Sequence, residues 1–481
     1  MNLSSFGVEI IFVATLAITF TAAFLGRKHS QKNSSGLTKQ NLNKWLIGLS
    51  AGATANSGFI VTGAVGLGYT FGFQWLFLPI SWFLGDLVFW KFCPNRINAL
   101  GQKTGITTLS ELLKVGLSGR YAKIASILAA ILIVVCLGGY TSAQWIAGQK
   151  FVSGAFDVSP ITSLMFFACV IVAYTSIGGF RGSIYADSVQ AIIRIIGTFL
   201  ALIAVIYFAL EDQSSFITNW ESAGDDFLSW LPGNTIGSAI FFVLGYAFAA
   251  IGFGLGQPQL VSRYLAGSSP EETKSAQWIY ISFVQLTWIS MTLFGVILRG
   301  VMPDISDPEA GLSVFFRSYF GNILTGIIVA DIFSTIAATS NSLLVAMSQA
   351  IVHDFFPSHF SNRHKSKLSI IVVLLLGLFT MILALFLSKD NTVFTIALSS
   401  ISLLASGLAA PVLIKIFGLP STGFSLLMSI SLGLISSIVW KVTEMDLVLN
   451  ETVIGIVVGF SANWLVVNLA RKRLEQVNDN G

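Results

Sequence analysis

The sequence predicts an all-α polytopic membrane protein of about 13 transmembrane helices, built on two five-helix inverted repeats with broken helices. Three observations predict it. The 481 residues are 54% hydrophobic and only 10% charged, where a soluble domain carries roughly 25% charged residues. Apolar runs of spanning length follow one another along the chain, in keeping with a mean hydropathy of +0.78. Two of those runs, five spans apart, are interrupted by small and glycine-rich residues.

A spanning helix needs roughly 20 apolar residues. Runs of that kind cover 7–26, 43–71, 73–92, 121–149, 159–178, 185–210, 236–258, 274–300, 321–350, 368–388, 392–415, 421–440 and 450–470. The first run has no basic residues before it and meets Arg27 and Lys28 on its far side. It therefore reads as a spanning helix with its N-terminus outside, not as a cleavable signal. With that orientation only Lys150, Arg299, Arg317, Lys389 and Lys441 of the 27 Lys and Arg face outwards, while Arg194 falls within a span. All the others face the cytoplasm, as the positive-inside rule requires. The outer loop from Glu211 to Trp230 holds acids and no Lys or Arg.

Several functions are excluded by what the connections lack. The longest cytoplasmic connections, near 93–120 and 351–367, are too short for a catalytic domain. His29, His353, His359 and His364 all fall in cytoplasmic segments, and no metalloprotease, phosphate-loop or paired-cysteine motif is present. The chain reads as no enzyme. An odd cysteine count, Cys93, Cys136 and Cys169, argues against a disulfide framework. All three read as small buried hydrophobes.

The interruptions point to function. The second span contains Ser50-Ala-Gly-Ala-Thr-Ala-Asn-Ser-Gly58, and the seventh contains Gly252-Phe-Gly-Leu-Gly-Gln-Pro258. Glycine weakens a helix and proline removes a backbone donor. Unwound backbone survives at membrane depth only where it is buried or lines a cavity. Close packing through small residues is the simpler explanation for one such segment. A matched pair five spans apart is the pattern of an inverted-repeat transporter with its sites near the midplane. The expected organisation is an extra helix and linker at 1–42, repeats at 43–210 and 236–415, and two further helices and a tail at 416–481.

A third interruption is Tyr174-Thr-Ser-Ile-Gly-Gly-Phe-Arg-Gly-Ser-Ile-Tyr-Ala-Asp187. It sets a carboxylate at the head of a new apolar run, where a charge needs a partner. This segment closely resembles the signature of the sodium/solute symporter family. Ser50-Ala-Gly-Ala and Asn56-Ser-Gly resemble that family's first broken helix. Gly256-Gln-Pro258 followed by Arg263 resembles its sodium/proline branch. Asp331-Ile-Phe-Ser-Thr-Ile-Ala-Ala-Thr-Ser340 resembles its sodium-site helix.

The resemblance implies a leucine-transporter-like bundle and sodium-coupled import of a small organic solute, proline or another amino acid among the possibilities. It implies a sodium site made by backbone at Ala53, Asn56 and Asp331 with the hydroxyls of Ser334 and Thr335. Those hydroxyls also suit a hard cation chemically, since such ions prefer oxygen ligands; they could instead bond back to their own helix. Sodium/proline symporters usually carry an Asp at the position of Ala55 and a small residue at that of Asp331, so the acid here has changed helices. Asp331 either supplies the site's charge or pairs with a cation such as Arg194. Asp187 is a possible second sodium ligand or a transit carboxylate. Ala337 and Ala338 stand where further hydroxyls would be, and Thr339 and Ser340 are expected to turn away.

For the solute, Tyr140 matches an aromatic of the sodium/proline branch, with Gln144 one turn on. Thr54, Ser57, Phe253 and Gln257 at the breaks complete the expected lining. The branch's Trp and Tyr are replaced by Ala250 and Gly254, which reshapes the pocket. The expected partners are therefore a small organic solute, sodium and the lipid bilayer, with no nucleic acid and no obligate protein partner. The expected location is a bacterial inner (plasma) membrane. Rival readings are a proton-coupled transporter using Asp331 or Asp187, separable by ion replacement, and a transporter-like sensor, for which no output domain is visible.

Overall fold

The computed structural model describes residues 7–32, 41–354, 362–387 and 392–479. Lys39, His359 and Lys389 lie outside them. Among the described residues the chain is helical, with eleven stretches long and apolar enough to cross a membrane. The main helices are α1 (Gly7–Lys32), α2 (Lys44–Ala55), α3 (Gly58–Val61), α4 (Gly63–Phe71), α5 (Phe77–Phe92), α6 (Arg120–Phe156), α7 (Pro160–Glu211) and α8 (Ile236–Gly256). They are followed by α9 (Pro258–Leu265), α10 (Gln277–Val301), α11 (Asn322–Asp354), α12 (Asn362–Leu387), α13 (Val393–Ile416), α14 (Gly423–Val442) and α15 (Glu451–Asp479).

Eleven stretches and about 13 expected crossings agree once two long stretches are taken apart. α7 runs for 52 residues, which at 1.5 Å per residue would reach about 78 Å. That is over twice a hydrocarbon core of roughly 30 Å, so α7 must contain two crossings. It breaks at Gly179, with φ 60° and ψ −167°, a conformation open to glycine and few other residues. The stretch Gly58–Thr104 is divided in the same way at Gly72, with φ 75° and ψ −149°.

Both interruptions read from the sequence are real helix breaks. α2 ends at Asn56 (φ −82°, ψ 70°). Ser57, extended at ψ 178°, then restarts the chain as the N-cap of α3, its hydroxyl accepting from the Phe59 amide. α8 ends at Gln257 (φ −91°, ψ 106°), and Pro258 opens α9 at the first helical position, where its missing N–H is not needed.

The breaks lie at the centre of the bundle. α11 packs against α7, α6 and α2, and α2 also packs against α7 and α10. Of the most apolar window of α11, 83% is buried, against 28% for α1 and for the last span. The outward faces of α7 and α12 present Ile192, Ile196, Leu375 and Phe386, as lipid-facing walls do. This corrects one expectation: Cys93 and Cys136 are buried, but Cys169 is exposed. In a bilayer an apolar side chain can face lipid as well as the core, so apolarity alone does not imply burial.

Candidate cation and solute site

Asp331, Ser334 and Thr335 share one face of α11, three and four residues apart, and all three are buried. Thr335 Oγ1 donates to the Asp331 carbonyl at 2.9 Å and lies 3.4 Å from Asp331 Oδ1. Ser334 Oγ is buried with no hydrogen-bond partner among the described residues. Of the two hydroxyls, only Thr335 bonds back to its own helix.

The Asp331 carboxylate has a partner from α7. Arg194 Nη1 stands 2.6 Å from Asp331 Oδ2, with both side chains almost fully buried. Arg194 Nε donates to Asn56 Oδ1 at 3.3 Å, and Asn56 Nδ2 donates to Thr287 Oγ1 on α10. The guanidinium thus links the α2 break to the α11 face. Helix approach here is close: a Cβ on Gly197 of α7 would collide with the Asp331 carboxylate.

Asp187 occupies a second buried cluster. Its Oδ2 accepts from Arg263 Nη2 at 2.6 Å and from Ser50 Oγ at 2.8 Å. Thr54 and Ser342 approach it at 3.4 Å and Ser183 at 3.5 Å. Arg263 also donates from Nε to Ser50 Oγ at 2.6 Å and from Nη2 to Ser342 Oγ at 2.7 Å. Thr54 therefore belongs to this cluster; its hydroxyl also lies 3.1 Å from Ser342 Oγ. Thr339 does not turn away as expected, since it donates to the Thr54 carbonyl at 2.9 Å. The α2 backbone is close enough to α11 to be reached one turn beyond Thr335. Ser340 donates to its own helix at Ile336.

A small pocket lies beside the α2 break. Its lining includes Ala55, Ser57, Trp82, Tyr140, Phe253 and Trp288. The walls are aromatic: the Trp82 ring lies 5.4 Å from both Phe253 and Trp288. Tyr140 and Ser57 supply polar atoms to this lining. No charged side chain lines it. Three of the residues expected around a solute, Tyr140, Ser57 and Phe253, meet here. Gln144 instead supports the break, its Oε1 accepting from the Gly58 amide at 2.8 Å. Gln257 caps α9, and its Oε1 accepts from Gln259 at 2.9 Å.

The model of the family described as "Sodium:solute symporter family" matches residues 37–422. The chain belongs to the sodium:solute symporter family. Its members are transporters rather than enzymes. Relatives include a high-affinity proline transporter, PutP, of Bacillus subtilis (strain 168), 24% identical, covering 93% of this chain and 96% of that one. A sodium/pantothenate symporter of Escherichia coli (strain K12) is also 24% identical, with 76% of each chain covered. Among solved structures, a Na⁺-coupled sialic acid symporter in a substrate-bound outward-open state superposes with a TM-score of 0.79 at 19% identity, covering 96% of this chain and 97% of that one. MhsT in complex with L-phenylalanine superposes with a TM-score of 0.56 at 14% identity, covering 88% of this chain and 99% of that one. This symporter-family chain therefore has the leucine-transporter-like fold expected of it and is an integral membrane protein.

Trp82, Trp288, Ser50, Ser183 and Ser342 were not legible as site residues in this symporter-family sequence. Serine and tryptophan are common in spans, and their spacing carries no signal until the helices are assembled. Arg263 carried a usable one. It follows the Gly256-Gln-Pro258 break closely, and a charge buried beside such a break requires an acid.

Proposed function

We propose that the protein is a sodium-coupled secondary active symporter that imports a small organic solute by alternating access. The observation that carries this reading is the convergence of the α2 break with the Asp331, Ser334 and Thr335 face of α11, joined through Arg194 and through Thr339, in a chain of the sodium:solute symporter family. Sodium is the transported co-substrate. The oxygens suited to it are the backbone at Ala53, Asn56 and Asp331, the hydroxyls of Ser334 and Thr335, and the Asp331 carboxylate. The buried Ser334 hydroxyl, unpartnered among the described residues, fits a hard cation well.

The solute binds in the aromatic pocket beside the break, between Ser57, Tyr140, Phe253 and their neighbours. Gln144 holds the broken backbone that shapes it. The uncharged walls suit a compact solute with an apolar body, and proline or another small amino acid fits that description. The repeats at 43–210 and 236–415 move against each other around this site. Asp187 acts in transit between states or at a second ion site. The N-terminus faces outwards in a bacterial inner membrane, and a potential of 100 mV contributes about 2.3 kcal/mol for each charge moved inward.

The test is uptake into proteoliposomes from a panel of amino acids and small carboxylates, with an imposed sodium gradient. Uptake that collapses when choline replaces sodium at fixed pH and potential supports the reading. Uptake that follows a proton gradient and ignores sodium overturns it.

A further inference from the structure

The Arg194 guanidinium stands where two sets of cation ligands meet. Its Nη1 is 2.6 Å from Asp331 Oδ2 on α11. Its Nε is 3.3 Å from Asn56 Oδ1, at the first non-helical residue after α2. Those are the two elements whose oxygens would hold a free cation. The remaining nitrogen, Nη2, is buried and has no hydrogen-bond partner among the described residues, and neither has the nearby helix-face hydroxyl Ser334 Oγ. A built-in cation therefore already lies against the single carboxylate of this face.

Stability is a poor explanation for the pair. Taking two charges out of water offsets most of their attraction, and an apolar pair of the same volume often serves a fold as well or better. Within a membrane such charges are rarer still and mark function. Arginine also keeps its charge in any environment a protein offers, so this cation cannot be removed by deprotonation. It can be removed from Asp331 only by movement of the side chain, and arginine's long flexible stem permits that. With the guanidinium in place the site is neutral. A sodium ion beside it would bring a second positive charge onto one carboxylate.

We propose that Arg194 is a tethered competitor for the coupling cation: its guanidinium and a free sodium ion are alternative occupants of the Asp331 site. When sodium binds, it takes Asp331 from Arg194, which keeps its hydrogen bond to Asn56. When sodium leaves, the guanidinium returns and neutralises the emptied site. Arg194 thereby weakens sodium binding and favours its release. The proposal rests on the sodium-coupled reading for its role in transport, but the competition can be measured without transport.

The experiment is equilibrium binding of ²²Na⁺ to purified protein, with choline holding ionic strength constant. The native protein is compared with Arg194→Gln, Arg194→Lys and the double variant Arg194→Gln/Asp331→Asn. Arg194→Gln should bind sodium about tenfold tighter or more, a change of about 1.4 kcal/mol. The double variant should lose that gain. Arg194→Lys has one compact charge in place of a fork and should fall between native and Gln. Binding in Arg194→Gln that is no tighter than native overturns the proposal, as does a gain that survives in the double variant. Should Arg194→Gln not fold, Arg194→Lys decides alone: sodium binding equal to or weaker than native overturns it. Native uptake that ignores sodium, alongside a sodium site gained in Arg194→Gln, would sink the coupling reading and leave the competition standing. Sodium-driven native uptake without that gain would do the reverse.

Discussion

The Arg263 guanidinium and the Asp187 carboxylate lie 2.6 Å apart, joining the segment after the second helix break to the segment after the Gly179 kink. Ser50 of α2 sits between them, 2.6 Å from Arg263 Nε and 2.8 Å from Asp187 Oδ2. Ser342 of α11 completes the link at 2.7 Å from Arg263 Nη2. Four helices, α9, α7, α2 and α11, are thus fastened at one buried point.

Asp187→Asn tests this fastening. The amide keeps the shape but leaves Arg263 without its counter-charge, and removing one partner of a buried pair typically costs about 3–5 kcal/mol. That cost falls on the states in which the pair is closed, not on the pocket, whose lining does not include Asp187. The maximal uptake rate should fall by about tenfold or more, a barrier change of at least about 1.4 kcal/mol, while solute affinity changes little. Uptake at the native rate would make the pair irrelevant to the cycle.

Ser334→Ala with Thr335→Ala tests the cation ligands. The Ser334 hydroxyl has no competing partner among the described residues, whereas Thr335 is engaged with the Asp331 carbonyl. Most of the loss should therefore come from Ser334. The sodium concentration for half-maximal uptake should rise by about tenfold in the double variant, equivalent to about 1.4 kcal/mol. Sodium titration of uptake in each single variant checks the ranking. An equal effect of the two would mean that Ser334 is no better placed than Thr335.

Tyr140→Phe tests the solute pocket. The Tyr140 hydroxyl is one of few polar points in an aromatic lining. A hydrogen bond from it to the solute is worth about 0.5–1.5 kcal/mol. The solute concentration for half-maximal uptake should rise several-fold, with sodium dependence unchanged. If sodium dependence moves instead, the hydroxyl serves the break and not the solute.

Much of this arrangement was legible before assembly because the membrane makes polarity expensive. The apolar runs, the two breaks and the intramembrane charges at Asp187, Arg194 and Asp331 each stand out against a hydrocarbon background. Pairing was legible only as an alternative: Arg194 was one reading for the partner of Asp331, and the structure joins the two. Arg194 and Asp331 are 137 residues apart, and the chain holds other acids that could face Arg194. Only the packing of α7 against α11 selects one, with Gly197 opening the space. Nor could helix phase be read near a break. Thr339 was expected to point away from α2, yet it reaches the Thr54 carbonyl, because the end of α2 passes beside α11 at that turn. The aromatic walls Trp82 and Trp288 were hidden for a different reason: large apolar residues face lipid and pockets alike.

The exchanged acid gives the last test. Ala55 lines the pocket at the end of α2, and Asp331 lies across the break on α11, bridged to Asn56 through Arg194. Two unit charges about 4 Å apart interact by about 4 kcal/mol at an effective dielectric of 20. Asp331→Ala removes the carboxylate that both Arg194 and a cation would use. It leaves Arg194 buried and unbalanced, so sodium-driven uptake should fall severely. Ala55→Asp with Asp331→Ala returns a carboxylate to the facing side of the same break. The site regains its net charge, and Arg194 regains an acid within the neighbourhood of Asn56. Part of the sodium affinity should return, so the double variant should exceed Asp331→Ala alone. Ala55→Asp by itself should lower solute affinity, because it puts a charge into an uncharged wall. The four proteins form a double-mutant cycle read by sodium titration of uptake. A coupling energy near zero, with no rescue, would mean that positions 55 and 331 do not serve one ion, and Asp331 would then be only the counter-charge of Arg194.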